Sequence, residues 1–296
     1  METVAIVGVG LMGGSFALAL RKAGFRGRIL GVSSPPVLEQ ALSLGIVDEG
    51  LPLEDAVPRA DLVFLSQTIQ GILGTIRRLD PWVKPGSLVT DAGSTKSAIV
   101  KAASESLRRA HFLGGHPMAG KESHGVAAAD ADLFRGRTWI LTPAGAAPEP
   151  AAEFRKWIEK FGAVPVELDA AFHDKLVSRT SHLPQILSTA LASLLAGELH
   201  LPEDARAAGP ALFEATRLAL SDYAVWRDIF ATNPDNIAAA LDLFIAKLAF
   251  LRSHLNHPAM SAEFERAATF AAALRRSASF TRPASQPSES GVGNSN

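Results

Sequence analysis

Short runs of apolar and β-branched residues alternate with helix-like stretches through the first half of the chain. Each run has the length and composition of a buried strand, and the stretches between them have the apolar spacing of helices. Strands are predicted at Thr3–Val7, Arg28–Val32, Asp61–Leu65, Ser87–Thr90, Thr138–Leu141 and Val164–Leu168. Such alternation builds a mostly parallel sheet with helices on both faces, so we predict an α/β fold for this half.

The strand pattern stops near Ala170, and the chain beyond it is rich in alanine and leucine. Apolar residues there recur at spacings of three and four, as in Ile237, Leu241, Phe244, Leu248 and Leu251. We therefore predict an all-α second domain whose apolar stripe packs as core, or stays partly exposed and forms a dimer. The predicted division of the 296 residues is a domain at 1–168, a helical domain at 169–275 and a disordered polar tail at 276–296.

Charge and composition exclude several classes of protein. The 29 lysines and arginines balance 30 acidic residues, which argues against the basic surface that nucleic-acid binding needs. The absence of cysteine excludes disulfides and cysteine nucleophiles. We expect a soluble cytoplasmic protein, because neither a signal peptide nor a long apolar span is recognisable. Scattered histidines without paired spacing predict no metal site.

A glycine-rich turn follows the first predicted strand and opens a helix. Gly8-Val9-Gly10-Leu11-Met12-Gly13 fits the G-x-G-x-x-G pattern of dinucleotide-binding turns. Gly8 would form the tight turn, Gly10 would let the backbone approach a pyrophosphate, and Gly13 would allow close packing of helix on strand. The N-terminus of the helix supplies N–H groups and positive charge for the pyrophosphate. The turn predicts a Rossmann-type domain that binds NAD or NADP.

The end of the second predicted strand leaves the choice between NAD and NADP open. An NAD-preferring domain usually has a carboxylate there to bind the ribose diol. This chain has Ser33 and Ser34 followed by Pro35. The two hydroxyls and a helix N-terminus can hold a 2′-phosphate, although no arginine follows them, and Ser34 can also serve only as a helix cap. These residues therefore support NADP at least as well as NAD.

Three further segments carry polar residues in places where ligands bind. Asp91–Lys96 follows a predicted strand at the carboxyl edge of the sheet. Gly114–Glu122 is predicted as a loop that holds His116 among glycines, where backbone can approach a ligand closely. Ser181–Gln185 places His182 at a helix start or kink, because Pro184 frees a carbonyl one turn earlier.

Five motifs in order give the chain its strongest resemblance to a known family. They read GVGLMGGS, TDAGSTKSAIV, GGHPMAGKESHGV, SHLPQIL and TRLALSDYAVWRDIF. Over about residues 1–275 the chain resembles the prephenate and arogenate dehydrogenases of tyrosine biosynthesis. The resemblance implies a Rossmann-type N-terminal domain with a C-terminal all-α dimerisation domain, and therefore a homodimer.

The resemblance also implies a reaction and roles for residues. Such enzymes oxidise and decarboxylate a cyclohexadienol, giving 4-hydroxyphenylpyruvate from prephenate or tyrosine from arogenate. The family's catalytic histidine matches His116, and a histidine suits the removal of the alcohol proton. Ser94 matches the serine that contacts the substrate hydroxyl and the nicotinamide. His182 matches a second, substrate-binding histidine.

Other residues are assigned to the substrate on the same resemblance. Arg217 matches the arginine that binds the side-chain carboxylate, and Arg227 is the competing choice, since a guanidinium gives two parallel bonds to a carboxylate. Glu122 and Glu214 match an ionic network at the pocket, and Trp226 matches a residue that lines it. An arginine or glutamate on an alanine-rich helix is also typical of a solvated face, and a tryptophan is typical of core.

The remaining histidines have no motif support and are interpreted as surface or packing residues: His111, His124, His173, His200, His254 and His257.

Two other functions are compatible with parts of the pattern. The β-hydroxyacid dehydrogenases also join a glycine-rich turn to a helical domain, but they would need Lys175 or Lys247 as catalyst, and neither lies in a recognisable motif. A non-catalytic dinucleotide sensor with a dimeric helical half would lack a polar cluster between its two halves. The grouping of His116, Ser94 and Arg217 argues against that sensor.

Overall fold

The structure is a computed structural model that describes residues 1–143 and 148–279. Its one sheet runs in the order β3-β2-β1-β4-β5-β6-β7-β8. Neighbouring strands are parallel except β6 and β7, which pair antiparallel. The strands are β1 (Thr3–Val7), β2 (Arg28–Val32), β3 (Glu49–Gly50), β4 (Leu62–Leu65), β5 (Leu88–Asp91), β6 (His111–Pro117), β7 (Thr138–Pro143) and β8 (Val164–Glu167).

Helices connect the strands and then continue alone to the end of the described chain. Up to β8 they are α1 (Leu11–Lys22), α2 (Pro35–Ser43), α3 (Leu53–Ala56), α4 (Ile69–Leu79), α5 (Ser97–Ser106) and α6 (Pro148–Lys160). Beyond β8 they are α7 (Ala170–Val177), α8 (Leu183–Ala196), α9 (Pro210–Thr216), α10 (Tyr223–Thr232), α11 (Pro234–Ser253) and α12 (Ala259–Ser279). A π-helical turn, Ser178–His182, joins α7 to α8. The predicted α/β half followed by an all-α half is confirmed.

The predicted tail and the last helix overlap. Helix α12 continues to Ser279, so residues 276–279, which the sequence placed in the tail, are helical. The rest of that predicted tail lies outside the described residues.

Two strands were missed by the sequence analysis. Strand β3 has only two residues, too few for a periodicity to register. Strand β6 contains Gly114, Gly115 and His116, which the sequence analysis wrongly placed in a loop. A Cβ on Gly114 would lie 2.0 Å from Thr142 Oγ1, and one on Gly115 would lie 2.3 Å from the Asp91 carbonyl oxygen. These glycines therefore mark a close approach of neighbouring strands.

Strands β1 and β4 are neighbours in the sheet. From β1 the chain continues to β2 and β3 on one side, and from β4 it continues to β5 and β6 on the other, so the strand order reverses between β1 and β4. In open α/β sheets, ligands bind at the carboxyl ends of the strands beside such a reversal. Gly8 follows β1 there and Ser66 follows β4, and the Ser66 hydroxyl donates to the Gly8 carbonyl at 2.8 Å. Strand β6 lies two strands from β4 on the same edge.

Apolar side chains cover both faces of the sheet in two separate clusters. One is built on aromatic rings, with Phe16 stacked on Phe64 at 4.1 Å between ring centroids. The other is aliphatic and takes in Ile229 and Ile237 from the helical half. The α/β half therefore has its own core, and the helices that follow it share one side of that core.

Contacts among the described residues group into two compact units, one that ends at Phe250 and one that begins at Leu251. Large apolar side chains stay exposed in both units, on the helices beyond β8 and on the turns between them. In the first unit they include Leu194, Leu201, Phe213, Leu220, Tyr223, Leu243 and Ile245, and in the second Leu255, Phe264, Phe270 and Leu274. Exposed apolar surface on this scale is typical of a protein–protein interface. None of the described helices is long and apolar enough to cross a membrane.

Candidate active site

The glycine-rich turn has the geometry that a dinucleotide requires. Gly8 has φ +95°, and a Cβ on Gly13 would lie 2.3 Å from the Gly8 carbonyl oxygen, so both positions need glycine. A Cβ on Gly10 would meet no atom within 4 Å. Gly10 is also the N-cap residue of α1. The space beside Gly10 at the N-terminus of α1 is therefore open, and the turn fits a pyrophosphate.

The residues expected near the adenosine ribose lie at the end of β2. Ser34 caps α2, its side chain makes no capping hydrogen bond, and Pro35 occupies the first turn. The Ser34 carbonyl accepts from Val37 N and Leu38 N at 3.0 Å. The exposed Ser34 hydroxyl is therefore available to a ligand.

A fully buried ion pair fastens the end of β5 to β6. Lys96 Nζ donates to an Asp91 carboxylate oxygen and, at 2.7 Å, to the Gly115 carbonyl. The same carboxylate accepts from Gly93 N at 2.8 Å and Gly115 N at 3.0 Å. Burial lowers the pKa of Lys96, and the two carboxylates Asp91 and Asp174 oppose that shift. Ser94 is half-buried and lies between Gly93 and Lys96, in the loop that this network fastens to Gly115, the residue before His116.

His116 extends from β6 as a buried imidazole, 8% exposed. Burial lowers its pKa well below the ordinary 6.5, and the nearby His173, Lys96 and His182 lower it further. The ring is therefore neutral at pH 7 and able to accept a proton. Among the residues that the structure describes, its hydrogen-bond partner is at Nδ1, where His173 Nε2 lies 2.8 Å away.

The sequence analysis grouped His173 with surface or packing histidines and did not predict its contact with His116. His173 and Asp174 are both buried on α7, and His173 Nδ1 lies 2.9 Å from Asp174 Oδ1. Asp174 accepts from Lys96 N at 2.7 Å and Ser97 N at 2.9 Å, which caps α5. The adjacent His-Asp pair one turn into the first helix after β8 was the only signal in the sequence.

His182 comes into the same region through the π-helical turn. Pro184 has no N–H, so the helix cannot continue regularly through it, and the turn before it is widened as the expected kink. His182 is buried, and burial lowers its pKa to about 4. Its ring packs edge-on against Trp226, with 5.9 Å between ring centroids. Asn233 Nδ2 approaches His182 Nδ1 at 3.5 Å and donates to the Asp174 carbonyl at 2.8 Å.

The charged residues assigned to the substrate are exposed. Arg217 Nε lies 3.8 Å from Glu214 Oε2, one turn earlier. Arg227 Nε donates to Asp228 at 3.1 Å, and Asp228 is held by Gln70 N at the start of α4. Glu122 is exposed as well. The geometry gathers Ser94, His116, His182 and Trp226 around one buried network, whereas the four charged residues Glu122, Glu214, Arg217 and Arg227 stay at the surface.

The arrangement can perform acid–base chemistry beside a bound dinucleotide. The neutral His116 lies on the same sheet edge as the glycine-rich turn. The loop that contains Ser94 is held beside it by the Asp91–Lys96 pair. Among residues 1–143 and 148–279, no group of three or more histidine, aspartate or glutamate side chains is arranged to hold a metal ion.

Comparison with known proteins agrees with this geometry. Residues 16–167 match the family model described as prephenate dehydrogenase, nucleotide-binding domain, and residues 169–269 match prephenate dehydrogenase, dimerization domain. The prephenate dehydrogenase of Lactococcus lactis is 35% identical over 241 residues, which are 79% of this chain and 66% of that relative.

Solved structures give the same result. Prephenate dehydrogenase from Aquifex aeolicus, in complex with hydroxyphenyl propionate and NAD+, superposes with a TM-score of 0.83 at 33% identity, covering 93% of this chain and 98% of that one. Synechocystis arogenate dehydrogenase superposes with a TM-score of 0.79 at 29% identity, covering 92% and 99%. Because the two family models together span most of the sequence, this chain belongs to the prephenate dehydrogenase family.

Proposed function

We propose that the chain is an NAD(P)-dependent dehydrogenase that converts prephenate to 4-hydroxyphenylpyruvate. The observation that carries the proposal is the buried, neutral His116, bonded at Nδ1 and placed on the sheet edge that also holds the glycine-rich turn. Arogenate, which would give tyrosine, is the second candidate substrate, because one structural relative is an arogenate dehydrogenase.

The proposed reaction needs one proton acceptor and one hydroxyl contact from the protein. His116 takes the proton from the carbinol oxygen while the carbinol C–H bond breaks. Ser94 contacts that oxygen and orients it. The bond to the ring carboxylate then breaks and carbon dioxide leaves. The electron pair of that bond completes the aromatic ring and turns the carbonyl oxygen into a phenolate, which takes the proton back from His116. The bound nicotinamide supplies the acceptor for the hydride.

The substrate's side-chain carboxylate needs a cationic partner. We assign Arg217, with Arg227 as the alternative; His182 and Trp226 would contact the ring, and Glu122 and Glu214 would belong to an ionic network at the entrance. In support, the Leu218 carbonyl next to Arg217 accepts from Gln185 Nε2 at 2.7 Å, which ties the arginine's turn to the start of α8. Replacing the correct arginine by alanine should chiefly raise KM for the substrate.

We propose that the dinucleotide site accepts both NAD and NADP. Ser33 and Ser34 put no carboxylate beside the 2′ position to repel a phosphate, and the exposed Ser34 hydroxyl can bond to either a ribose hydroxyl or a phosphate. Gly8, Gly10, Leu11, Met12 and Gly13 form the pyrophosphate turn in this proposal.

We propose that the enzyme works as a homodimer through its helical half. The exposed apolar residues of that half and its match to a dimerization domain support this assembly. The domain division at 1–168 and 169–275 and the cytoplasmic location stay predictions.

The decisive test is a steady-state comparison of the four pairs of substrate and cofactor. We expect prephenate to give NADH or NADPH together with one equivalent of carbon dioxide. No turnover with any of the four pairs would overturn the assignment. A β-hydroxyacid substrate is the comparison, and it should be inactive, because Lys175 and Lys247 are exposed and lie outside the buried network.

A further inference from the structure

Three buried side chains form one hydrogen-bonded line behind His116. His116 Nδ1 lies 2.8 Å from His173 Nε2, and His173 Nδ1 lies 2.9 Å from Asp174 Oδ1. His173 is 0% and Asp174 1% exposed. Water is therefore kept from these two hydrogen bonds, and the proton in each bond must belong to one of the two side chains that form it.

The carboxylate end of the line is fixed as an acceptor. Burial would raise the pKa of Asp174, but hydrogen bonds from His173, Ser97 and the backbone N–H of Lys96 outweigh it and lower that pKa. The two N–H groups lie at the N-terminus of α5, where positive charge favours a carboxylate. Asp174 is therefore ionised at neutral pH and can only accept hydrogen bonds.

With both imidazoles neutral, an ionised Asp174 determines the position of every proton in the line. His173 must carry its proton on Nδ1 to donate to the carboxylate, so neutral His173 has a bare Nε2. That bare nitrogen can only accept, so His116 must donate from Nδ1. Neutral His116 then has an unprotonated Nε2, which is the nitrogen left for the substrate.

We propose that His173 and Asp174 are positioning residues that hold His116 in the Nδ1–H tautomer and so keep its Nε2 lone pair available as the base. The proposal rests on the proposed function for the meaning of that lone pair, but the tautomer itself is a property of the free protein. A proton gained at Nε2 leaves His116 cationic, and its Nδ1–H bond to His173, backed by Asp174, stabilises that cation.

The sharpest variant reverses the direction of the line. In the Asp174→Asn orientation that reverses the line, the amide N–H₂ takes the place of Oδ1 and donates to His173 Nδ1, so Lys96 N loses its acceptor. The amide oxygen takes the place of Oδ2 and still accepts from Ser97 N. His173 would then be protonated on Nε2, His116 would have to accept at Nδ1, and its own proton would move to Nε2. An equivalent replacement in a catalytic triad leaves geometry intact and costs about 10⁴ in kcat through the wrong tautomer.

The chain contains a matched control in Asp169. Its carboxylate caps α7 by accepting from Ala171 N at 2.9 Å and Phe172 N at 3.0 Å, without touching a histidine. Asp169→Asn makes the same chemical change at a helix start nearby. We expect Asp174→Asn to lower kcat at least about 10²-fold with KM changed less than about threefold, and Asp169→Asn to leave both within about twofold.

The tautomer is read directly from ¹⁵N NMR of the histidine rings in the free protein, with His116 assigned by its loss in His116→Gln. We expect Nδ1–H in the parent protein and in Asp169→Asn, and Nε2–H in Asp174→Asn. Nε2–H in the parent protein would overturn the proposal.

A second pair of variants covers the case in which Asp174→Asn does not fold. His173→Gln keeps an oxygen that can accept from His116 Nδ1–H, and His173→Leu has no acceptor. We expect His173→Gln to keep the Nδ1–H tautomer and to exceed His173→Leu in kcat by at least about tenfold. Equal kcat values, or equal tautomers, would overturn the proposal.

The pH profile is a further readout that loss of packing alone would not move. The charged and titratable groups facing His116 and His173 are Lys96, Asp174 and His182, with Asp91 beyond Lys96. Because Asp174→Asn removes the one negative charge in the line, the cationic form of His116 should become harder to reach. The acid limb of kcat/KM should therefore shift to lower pH than in the parent protein.

Discussion

Replacing Lys96 by methionine removes the cation from a site that water does not reach. Lys96 and Asp91 have fully buried side chains, and the ammonium also binds the Gly115 carbonyl at 2.7 Å. Methionine keeps the length of the side chain and fills most of its volume. The variant therefore leaves the Asp91 carboxylate without a counter-charge, and it leaves the Gly115 carbonyl without its ammonium donor.

The expected loss follows from those two deficits. Removing one partner of a buried ion pair costs about 3–5 kcal/mol, which is a large part of the ~5–15 kcal/mol that stabilises a typical domain. At about 2–4 °C per kcal/mol for a unit of this size, Tm should fall by about 6–20 °C. Urea and thermal unfolding followed by circular dichroism measure both quantities.

Lys84→Met is the control for the loss of a lysine. Lys84 binds Asp61 at 2.5 Å, but its side chain is 51% exposed, and an exposed pair contributes at most about 1 kcal/mol. The double variant Asp91→Asn with Lys96→Met should be more stable than Lys96→Met alone, because it removes the unpaired charge. If Lys96→Met lost no more stability than Lys84→Met, the buried pair would not be the tie between β5 and β6.

Four other outcomes follow from the site. His116→Asn should lower kcat by about 10²–10⁴ with little change in KM, measured at steady state; an unchanged rate would remove His116 from the reaction. Because only neutral His116 accepts a proton and its pKa lies well below 6.5, the acid limb of kcat/KM should have its midpoint below pH 6.5, and a midpoint above that value would contradict the assignment. Gly13→Ala places a Cβ 2.3 Å from the Gly8 carbonyl and should cost about 1–3 kcal/mol of stability, whereas Gly10→Ala should leave Tm unchanged and weaken only dinucleotide binding. Ser34→Asp should lower kcat/KM for NADP at least about tenfold relative to NAD, because a carboxylate repels the 2′-phosphate; an unchanged ratio would place the ribose elsewhere.

The strands that were predicted and those that were missed differ in one physical respect. Strands such as β1 and β4 are continuous apolar runs buried on both faces, which is the pattern that a parallel sheet imposes. Strand β6 replaces that pattern with Gly114, Gly115 and His116. Its glycines are required by the approach of neighbouring strands, and no local propensity reports a contact made with Asp91 or Thr142.

The residues of the candidate site also fall into those that the sequence could identify and those that it could not. The glycine-rich turn and His116 lie in short motifs, so sequence alone could single them out. His173 and Asp174 act through contacts with residues 57 and 78 positions earlier in the chain. These contacts form because α7 packs against the start of α5. The only sign of that packing in a single sequence is a pair of adjacent polar residues.

The carboxylate that caps α5 also ends the line of histidines, so one group serves two halves of the chain. A chain that has emerged from the ribosome only as far as β8 has the glycine-rich turn and His116, but it has no Asp174. On the proposed roles, His116 therefore becomes a base held in one tautomer only after α7 has packed against the start of α5.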